Sequence, residues 1–317
     1  MDPVCHTLVG ATLARTGLER RTPLATAALV IGANIPDVDV LAYVAGPTSA
    51  LAFRRGWTHG VLAVALWPFV LCGAIWLWHR LVRQRLRPDT PPVRPTQLLL
   101  LSAVAVLTHP LLDFLNTYGM RWLMPFSARW FYGDTLFIVD PWVWAALAVG
   151  WFAAGRPVAG GGGAPRVWPA RLALAGLGVY VVVLAGIGRL ARYDVSRELV
   201  SRGLGAPDRV MVSPIPVTPF RRVVVAEIDG VYRVGSHDVF GRPRVALEAL
   251  ALPRYDPQSV PRVAAESPDL RRFLQWARFP YVDVDARADE TTVHVGDARY
   301  TMDPTDSWAA VTVIVDR

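Results

Sequence analysis

Four apolar runs, each long enough to cross a bilayer, constrain this chain more than any other feature of its sequence. They cover residues 58–79, 97–116, 136–154 and 172–190. A helix rises about 1.5 Å per residue, so about 20 residues cross the roughly 30 Å hydrocarbon layer. The chain is 53% hydrophobic and only 19% charged, with a mean hydropathy of +0.31. This composition excludes an ordinary soluble domain and indicates an integral membrane protein.

Two weaker apolar segments precede these runs. Residues 4–14 predict a short helix, and residues 23–45 have the length of a span but are interrupted by the sequence NIPDVD. Pro36 lacks a backbone donor and ends the preceding helix. Aspartates at such a break are costly in lipid, and irregular backbone is tolerated at membrane depth only where protein or a watery cavity surrounds it. We therefore expect Asp37 and Asp39 to lie in an enclosed polar site.

Arginines divide unevenly between the two sets of loops that connect these segments. Eleven lie in one set, whereas the opposite set contains only Arg54, Arg55, Arg121 and Arg129. Basic residues are enriched in cytoplasmic loops, so the first set is predicted to be cytoplasmic. The prediction is a multi-pass protein of the cell (inner) membrane, with its C-terminal domain on the extracytoplasmic side. A Gly-rich linker is predicted over residues 155–165.

The sequence pattern changes after residue 190. Residues 191–203 predict an amphipathic helix on the membrane surface, and Asp229-Gly230 predicts a hairpin turn between two alternating segments. A helix is predicted over residues 266–278, and strands over 279–286, 290–301 and 307–317. The predicted fold is mainly α, with a polytopic helical membrane bundle over residues 1–190 and a small soluble α+β domain over residues 191–317.

The polar residues of the apolar segments are predicted to share one depth in the membrane. His109 and Asp113 are four residues apart and therefore share a helical face. They lie roughly 18 and 24 Å from the cytoplasmic end of their span, at about 1.5 Å per residue. A comparable depth is predicted for His6, Asp37, Asp39, His59 and Asp140. This convergence predicts one polar site near the outer membrane face.

A metal ion is the natural compensation for such a site. Three aspartates in lipid would cost up to about 10 kcal/mol together, and structural zinc sites supply a comparable free energy. Mixed imidazole and carboxylate donors favour Zn²⁺, Mn²⁺ or Fe²⁺ over Ca²⁺ and Mg²⁺. Alternatives stay open for single residues, since a histidine can be a packing residue and Asp37 or Asp39 can cap a helix. Asp140 precedes Pro141 and can shape a turn instead of binding a metal.

The remaining histidines and the tryptophans have simpler interpretations. His79 is predicted at the cytoplasmic interface, and His237 and His294 on the surface of the C-terminal domain. Cys5 and Cys72 do not have the spacing of zinc ligands. The tryptophans fit an aromatic belt at the membrane interfaces, so a nucleic-acid partner is not favoured despite the net charge of +7.

Five segments within about residues 1–145 hold the polar residues of the predicted site: MDPVCHTLVGATLAR, GANIPDVDVLAY, RRGWTHG, LTHPLLDFLNTYG and FIVDPW. Together they resemble the YdjM-like family of membrane-bound metal-dependent hydrolases. The resemblance implies metal ligands at His6, Asp37, Asp39, His59, His109 and Asp113. This family is distantly similar to the helical zinc-dependent phospholipase C and single-strand nuclease superfamily, which hydrolyses phosphoesters at clustered zinc ions. A second HxxxD pair of that superfamily is absent here, so one or two ions are expected instead of three.

The resemblance implies a hydrolase of phosphoesters, with phospholipid as one candidate substrate and zinc as the first candidate cofactor. Asp37 and Asp39 are assigned as catalytic residues, either bridging metal ions, orienting a histidine or activating water. Arg54, Arg55 or Arg121 is expected to hold the phosphate. The alternative is a metal-binding membrane protein or transporter without hydrolytic activity. A transporter is less favoured because the chain shows no internal repeat and the site is off-centre in the membrane.

Overall fold

The computed structural model describes residues 1–155, 166–287, 289–301 and 309–316. The chain divides into two compact units. The first contains Met1–Asp39 and Arg55–Leu184, and the second contains Val40–Arg54 and Ala185–Arg317. The last boundary between the units follows residue 184, but the second unit also includes Val40–Arg54, so the sequence-based division at residue 190 stays a prediction. The linker predicted over 155–165 lies outside the described residues apart from Gly155.

Helices form the first unit and contribute to the second. In chain order they are α1 (Pro3–Arg15), α2 (Ala25–Gly32), α3 (Pro47–Phe53), α4 (Val61–Trp78), α5 (Gln84–Leu86), α6 (Pro95–Phe114), α7 (Pro141–Ala154), α8 (Trp168–Ser201), α9 (Arg262–Ala265) and α10 (Pro268–Trp276). A 3₁₀ helix over Ile35–Ala45 follows α2, and a π-helical turn over His79–Arg83 joins α4 to α5. The Asn-Ile-Pro-Asp break thus forms a separate short helix, as the position of Pro36 predicts.

Among the described residues, three helical segments are long and apolar enough to cross a membrane. They are Val61–Leu86, Pro95–Phe114 and Trp168–Ser201, and α2 with the 3₁₀ helix that follows it, bent by 42°, qualifies as a fourth. Helix α7 has only 14 residues because Asp140 caps it and Pro141 begins it. At about 1.5 Å per residue this helix is shorter than the hydrocarbon layer, and the span predicted over 136–154 stays a prediction. The apolar helices are confirmed, and the polytopic bundle stays a prediction.

Small residues bring the helices of the first unit close together. Helix α1 packs on α2 and α7, while α6 packs on α2 and α4. A Cβ atom at Gly10 of α1 would lie 2.6 Å from the carbonyl oxygen of Leu29, and one at Gly32 would lie 2.8 Å from Ala105 Cβ. Side chains larger than hydrogen would therefore push α1 and α6 away from α2. This close approach brings the polar residues of α1 and α6 next to the 3₁₀ helix that follows α2.

The second unit contains two antiparallel sheets. The four-stranded sheet has the order β1 (Arg209–Pro214), β2 (Arg221–Ile228), β3 (Val231–Asp238) and β4 (Val245–Pro253). The three-stranded sheet has the order β5 (Pro280–Ala286), β6 (Glu290–Asp297) and β7 (Ala310–Asp316). The hairpin at Asp229-Gly230 is confirmed, because both residues have positive φ, 50° and 76°, between paired strands β2 and β3. Helix α10 and strands β5 to β7 confirm the remaining predicted elements.

Two predictions for this unit are wrong. Residues 191–201 do not form a separate surface helix but continue α8, and Ala191, Val195 and Leu199 bury one face of it against the four-stranded sheet. These residues recur every fourth position and therefore share one face of the helix, and that apolar face packs on protein. His237 is not a surface residue but is fully buried, with Nε2 3.0 Å from Asp194 Oδ2 of α8.

Candidate metal centre

Polar residues from several segments of the first unit meet in one buried cluster. His6 lies on α1, Asp37 and Asp39 lie in the 3₁₀ helix after α2, His59 precedes α4, and His109 and Asp113 are one turn apart on α6. Four of these six residues, Asp37, His59, His109 and Asp113, offer donor atoms that all lie within 4.8 Å of one another. The cluster is enclosed, since the side chain of Asp37 is 16% exposed and the other three are fully buried.

The surroundings of His109 indicate which of its two ring nitrogens carries the proton. Nδ1 lies 2.7 Å from the carbonyl oxygen of Ala33. A carbonyl oxygen only accepts hydrogen bonds, so Nδ1 carries the proton. In the neutral imidazole Nε2 then has a free lone pair, and it lies 3.7 Å from Asp37 Oδ1 and 3.6 Å from Asp113 Oδ2. A backbone carbonyl that fixes the ring in this way is typical of metal-binding histidines.

His59 is held in the same way from its other side. Its Nδ1 lies 2.8 Å from Thr58 Oγ1 and 3.4 Å from Asp39 Oδ2. Thr58 donates its hydroxyl proton to Asp39 Oδ2 over 3.2 Å, so the hydroxyl oxygen is left to accept from His59 Nδ1. Nε2 of His59 therefore also presents a lone pair. The two Nε2 atoms of His59 and His109 lie only 3.0 Å apart, an arrangement that a cation between them would stabilise.

Asp113 is the carboxylate at the centre of the cluster. Its Oδ2 lies 3.2 Å from Arg55 Nε, 3.4 Å from His59 Nε2 and 3.6 Å from His109 Nε2, yet this buried oxygen accepts no hydrogen bond from the described residues. Its Oδ1 contacts the α-amino group of Met1 and lies 3.3 Å from His6 Nε2. A buried carboxylate oxygen without a hydrogen bond is costly, and a metal ion would satisfy it. The donor set therefore fits a divalent ion.

The other two residues implied as ligands lie at the edge of the four-residue group. The His6 ring stacks on that of His109 with centroids 3.8 Å apart, and its Nε2 faces Asp113. Asp39 is 2% exposed and accepts hydrogen bonds from the backbone N–H of Arg55 and from the Thr58 hydroxyl. Asp39 therefore contacts the side of His59 that faces away from His109. Both residues are positioned to orient the histidines of the group.

Asp140 has a structural role in the described part of the chain. Its Oδ1 accepts from the backbone N–H groups of Trp142 and Val143, which caps α7, and its Oδ2 accepts from the Tyr180 hydroxyl. Of the two alternatives left open by the sequence, the structure favours shaping the turn before α7. Asp2 caps α1 in the same way and also accepts from the Trp144 indole N–H.

One side of the cluster opens to a mostly apolar cleft. The cleft has a volume of about 440 Å³ and is lined by Pro3, Val30, Ile31, Asn34, Ile35, Asp37 and Val38. Asp37 is the only one of these residues that also belongs to the four-residue group, so it forms the boundary between the cleft and the buried donors.

Comparison with known proteins agrees with this arrangement. Residues 1–191 match the family described as YdjM inner membrane protein. The chain belongs to the YdjM family. The match confirms the resemblance seen in the sequence, includes all six residues of the cluster and reaches into α8. The family's description also agrees with a location in the inner membrane.

One relative of this YdjM-family chain is the uncharacterized protein YfhP of Bacillus subtilis (strain 168). The two sequences are 23% identical over 284 residues, which cover 86% of this chain and 76% of YfhP. This similarity extends beyond the helical region into the second unit. No solved structure matches the chain.

Sequence reasoning missed the residues that orient the cluster. The carbonyl group of Ala33, the hydroxyl of Thr58 and the backbone N–H of Arg55 each bond a residue of the cluster. Thr58 and Arg55 lie within the RRGWTH segment, in which His59 was predicted as a ligand and Arg55 as a phosphate-binding candidate, and their proximity to His59 in the sequence was a usable signal for an orienting role. The Ala33 carbonyl carried no such signal, because any residue has one.

Proposed function

We propose that this YdjM-family protein is an integral membrane hydrolase that uses a divalent metal ion to cleave phosphoesters, with membrane phospholipid as its first candidate substrate. One observation carries the proposal: the Nε2 atoms of His59 and His109 lie 3.0 Å apart beside Asp113 Oδ2, which accepts no hydrogen bond from the described residues. Such an arrangement is unfavourable without a cation and is the donor geometry of a metal centre.

The ion would be held by Asp37, His59, His109 and Asp113. Two imidazole nitrogens and two carboxylate oxygens suit Zn²⁺ first, and Mn²⁺ or Fe²⁺ next. When bound, such an ion supplies a Lewis acid that polarises a phosphoryl oxygen and acidifies water. This chemistry requires no serine or cysteine nucleophile from the chain.

Other groups of the chain orient the two histidine rings and accept a proton. Asp39 and Thr58 hold the His59 ring through Nδ1, and Ala33 holds the His109 ring. Asp37 is the partly exposed carboxylate of the group and is the residue placed to accept a proton from an attacking water at the cleft. The apolar lining of the cleft would accommodate the acyl region next to a lipid headgroup, which favours a lipid over a wholly water-soluble phosphoester.

The orientation of the protein is part of the proposal. The arginine distribution in the sequence supports a polytopic bundle whose site faces the outer membrane surface and whose residues 191–317 lie outside the cytoplasm. Reporter fusions after Arg192 and within residues 85–95 test it. We expect extracytoplasmic reporter activity at the first site and cytoplasmic activity at the second, and the reverse pattern would place the cluster at the inner face.

Hydrolysis is tested with the purified full chain loaded with Zn²⁺ or Mn²⁺. Substrates are phospholipids in mixed micelles and a water-soluble phosphodiester. We expect turnover that a chelator abolishes, that favours the phospholipid, and that Asp37→Asn lowers by about 100-fold or more, since an acid–base group contributes about that factor. Equal rates with and without metal, or full rate in Asp37→Asn, would refute the proposal.

A second candidate function is metal binding without hydrolysis. The complete burial of His59, His109 and Asp113 favours it, because structural metal sites are closed to solvent. Tight metal binding combined with no turnover on the substrate panel would select this function.

A further inference from the structure

Arg55 is linked to phosphate binding by its position in the sequence, but the structure places its side chain inside the metal centre. It is 3% exposed, and its Nε lies 3.2 Å from Asp113 Oδ2. Its Nη1 donates to Asn116 Oδ1 over 2.9 Å, and the Tyr118 ring centroid lies 4.5 Å from the guanidinium carbon. The guanidinium is therefore fixed within the protein and is not free to reach a substrate in the cleft.

The backbone of the same residue contacts a second carboxylate. Its N–H donates to Asp39 Oδ2 over 2.8 Å, and its carbonyl oxygen accepts from the backbone N–H of Arg121. Arg55 also has a positive φ of 52°, a conformation that costs free energy in a non-glycine residue and that persists when the surroundings enforce it. One residue thus holds Asp39 through its backbone and Asp113 through its side chain.

The charge balance of the cluster depends on this guanidinium. Asp37, Asp39 and Asp113 carry three negative charges when ionised, and Arg55 reduces the sum to two, which one divalent ion neutralises. Two divalent ions would leave two excess positive charges in a buried site, which is strongly unfavourable. The other nearby cations are the Met1 amino group beside Asp113 and the Arg121 side chain near Asp39. With both counted, the three cations equal the three carboxylates, so the charge argues against a second ion however these two groups are counted.

We propose that Arg55 takes the place of a second metal ion, so that the centre holds a single divalent ion. In this role Arg55 is a positioning residue, because it holds the carboxylates of Asp39 and Asp113 in place around that ion. The inference rests on the proposed metal centre and specifies its composition. It also separates this chain from hydrolases in which two ions lie roughly 3.5–4 Å apart and share the bridging carboxylates.

The experiment measures metal stoichiometry in the purified full chain. Wild type, Arg55→Lys, Arg55→Gln and the control Arg129→Gln are dialysed against Zn²⁺ or Mn²⁺, and bound metal is counted by mass spectrometry. Arg129 is an exposed arginine whose guanidinium lies over Phe131, so its substitution removes one charge away from the cluster. Electron paramagnetic resonance of the Mn²⁺ forms distinguishes an isolated ion from a spin-coupled pair.

We expect one ion per chain and an isolated Mn²⁺ signal in wild type and in Arg129→Gln. Arg55→Lys keeps the charge but not the planar fork, so it should hold one ion with an affinity lower by about 10-fold, the lower end of the range for residues that orient ligands. Arg55→Gln should take up a second Mn²⁺ ion and give a spin-coupled signal. Thermal melting identifies any variant that does not fold. If Arg55→Gln does not fold, the stoichiometry of wild type and the metal affinity of Arg55→Lys test the proposal.

Two tightly bound ions in wild type would overturn the inference, and so would Arg55→Gln or Arg55→Lys with the stoichiometry and affinity of wild type. These results are separate from the test of hydrolysis. One bound ion without turnover refutes the hydrolase and leaves this inference intact. Two bound ions with turnover support the hydrolase and overturn this inference. A wild type that binds no metal refutes both.

Discussion

The two units of this chain compensate buried charge in different ways. In the second unit, Glu227 is 2% exposed and accepts hydrogen bonds from Arg209 and Arg254 at 2.6 and 3.0 Å. Asp297 is fully buried and accepts two hydrogen bonds from the guanidinium of Arg299, at 3.0 and 2.7 Å. Each of these two carboxylates thus has at least one arginine of its own.

The first unit instead gathers three carboxylates and three histidines into one buried cluster, in which Arg55 contacts both Asp113 and Asp39. Asp113 Oδ2 accepts no hydrogen bond from the described residues, and two imidazole lone pairs face each other at 3.0 Å. One arginine residue contacts two carboxylates here, whereas Glu227 in the second unit contacts two arginines. We infer that the paired carboxylates stabilise the fold of the second unit, while the cluster of the first unit is a candidate site for a ligand.

Removal of two donors from the cluster tests this comparison with the largest expected effect. His109→Ala combined with Asp113→Ala should weaken Zn²⁺ affinity by more than about 100-fold, because residues that merely orient ligands already contribute about 10–100-fold. Bound zinc after equilibrium dialysis is the measurement. The matched control is His237→Ala combined with Asp194→Ala in the second unit, which should retain the metal content of wild type. Equal loss in both double variants would remove the distinction between the units.

Asp39→Asn sharpens the comparison within the cluster. The amide keeps the shape but loses the charge that holds the Nδ1 side of His59, so we expect Zn²⁺ affinity to fall by about 10–100-fold with the stoichiometry unchanged. Asp238→Asn is the control, since Asp238 forms a surface ion pair with Arg221 at 3.6 Å. Titration against a competing chelator measures both. An unchanged affinity in Asp39→Asn would show that Asp39 does not support the site.

His237→Ala tests whether the buried pair in the second unit only stabilises the fold. It leaves Asp194, whose side chain is 18% exposed, with Arg244 at 3.6 Å as its remaining charged partner. Loss of a hydrogen bond to a charged group is expected to lower stability by about 1–3 kcal/mol. Thermal melting of the full chain measures the change, and bound zinc should not differ. A loss of zinc with normal melting would assign His237 to a metal site instead.

Glu227→Gln is expected to have the smallest effect, and it depends on pH. Burial alone would raise the pKa of Glu227, but hydrogen bonds from Arg254 and Arg209 outweigh burial and lower this pKa from its ordinary value of about 4.5. The ionised carboxylate therefore stabilises the folded state fully above that ordinary value, and the contribution is lost as pH falls through the lowered pKa. At pH 7 we expect the variant to have a free energy of unfolding about 1 kcal/mol lower than that of wild type, and therefore a lower melting temperature. In acid the two melting temperatures should converge. A difference that grows in acid would contradict this sign.

The elements that depend on local sequence could be predicted. The Asp229-Gly230 turn, the α10 helix and the break at Pro36 follow from backbone preferences of the residues themselves. The continuation of α8 through Ser201 could not be predicted, because its apolar face fits a membrane surface and a sheet equally well. The structure decides in favour of the sheet, and the same packing buries His237.

The candidate site could be predicted in its residues but not in its contacts. Histidines and aspartates in apolar segments are recognisable because they are costly there, and all six of them lie in the cluster. Their separation into four converging donors, an orienting Asp39 and a stacked His6 depends on distances between helices. The role of Arg55 depends on a guanidinium that turns inward, which the sequence alone does not specify.

X-ray absorption spectroscopy of the zinc-loaded full chain tests the central claim most directly. The account predicts only nitrogen and oxygen donors, at about 2.0–2.2 Å from the ion, with the multiple scattering of two imidazole rings. His59→Ala should lose one of the two imidazole contributions. A sulfur donor at about 2.3 Å would instead place zinc at Cys5 or Cys72. That result, or a spectrum that His59→Ala leaves unchanged, would contradict a metal centre formed by Asp37, His59, His109 and Asp113.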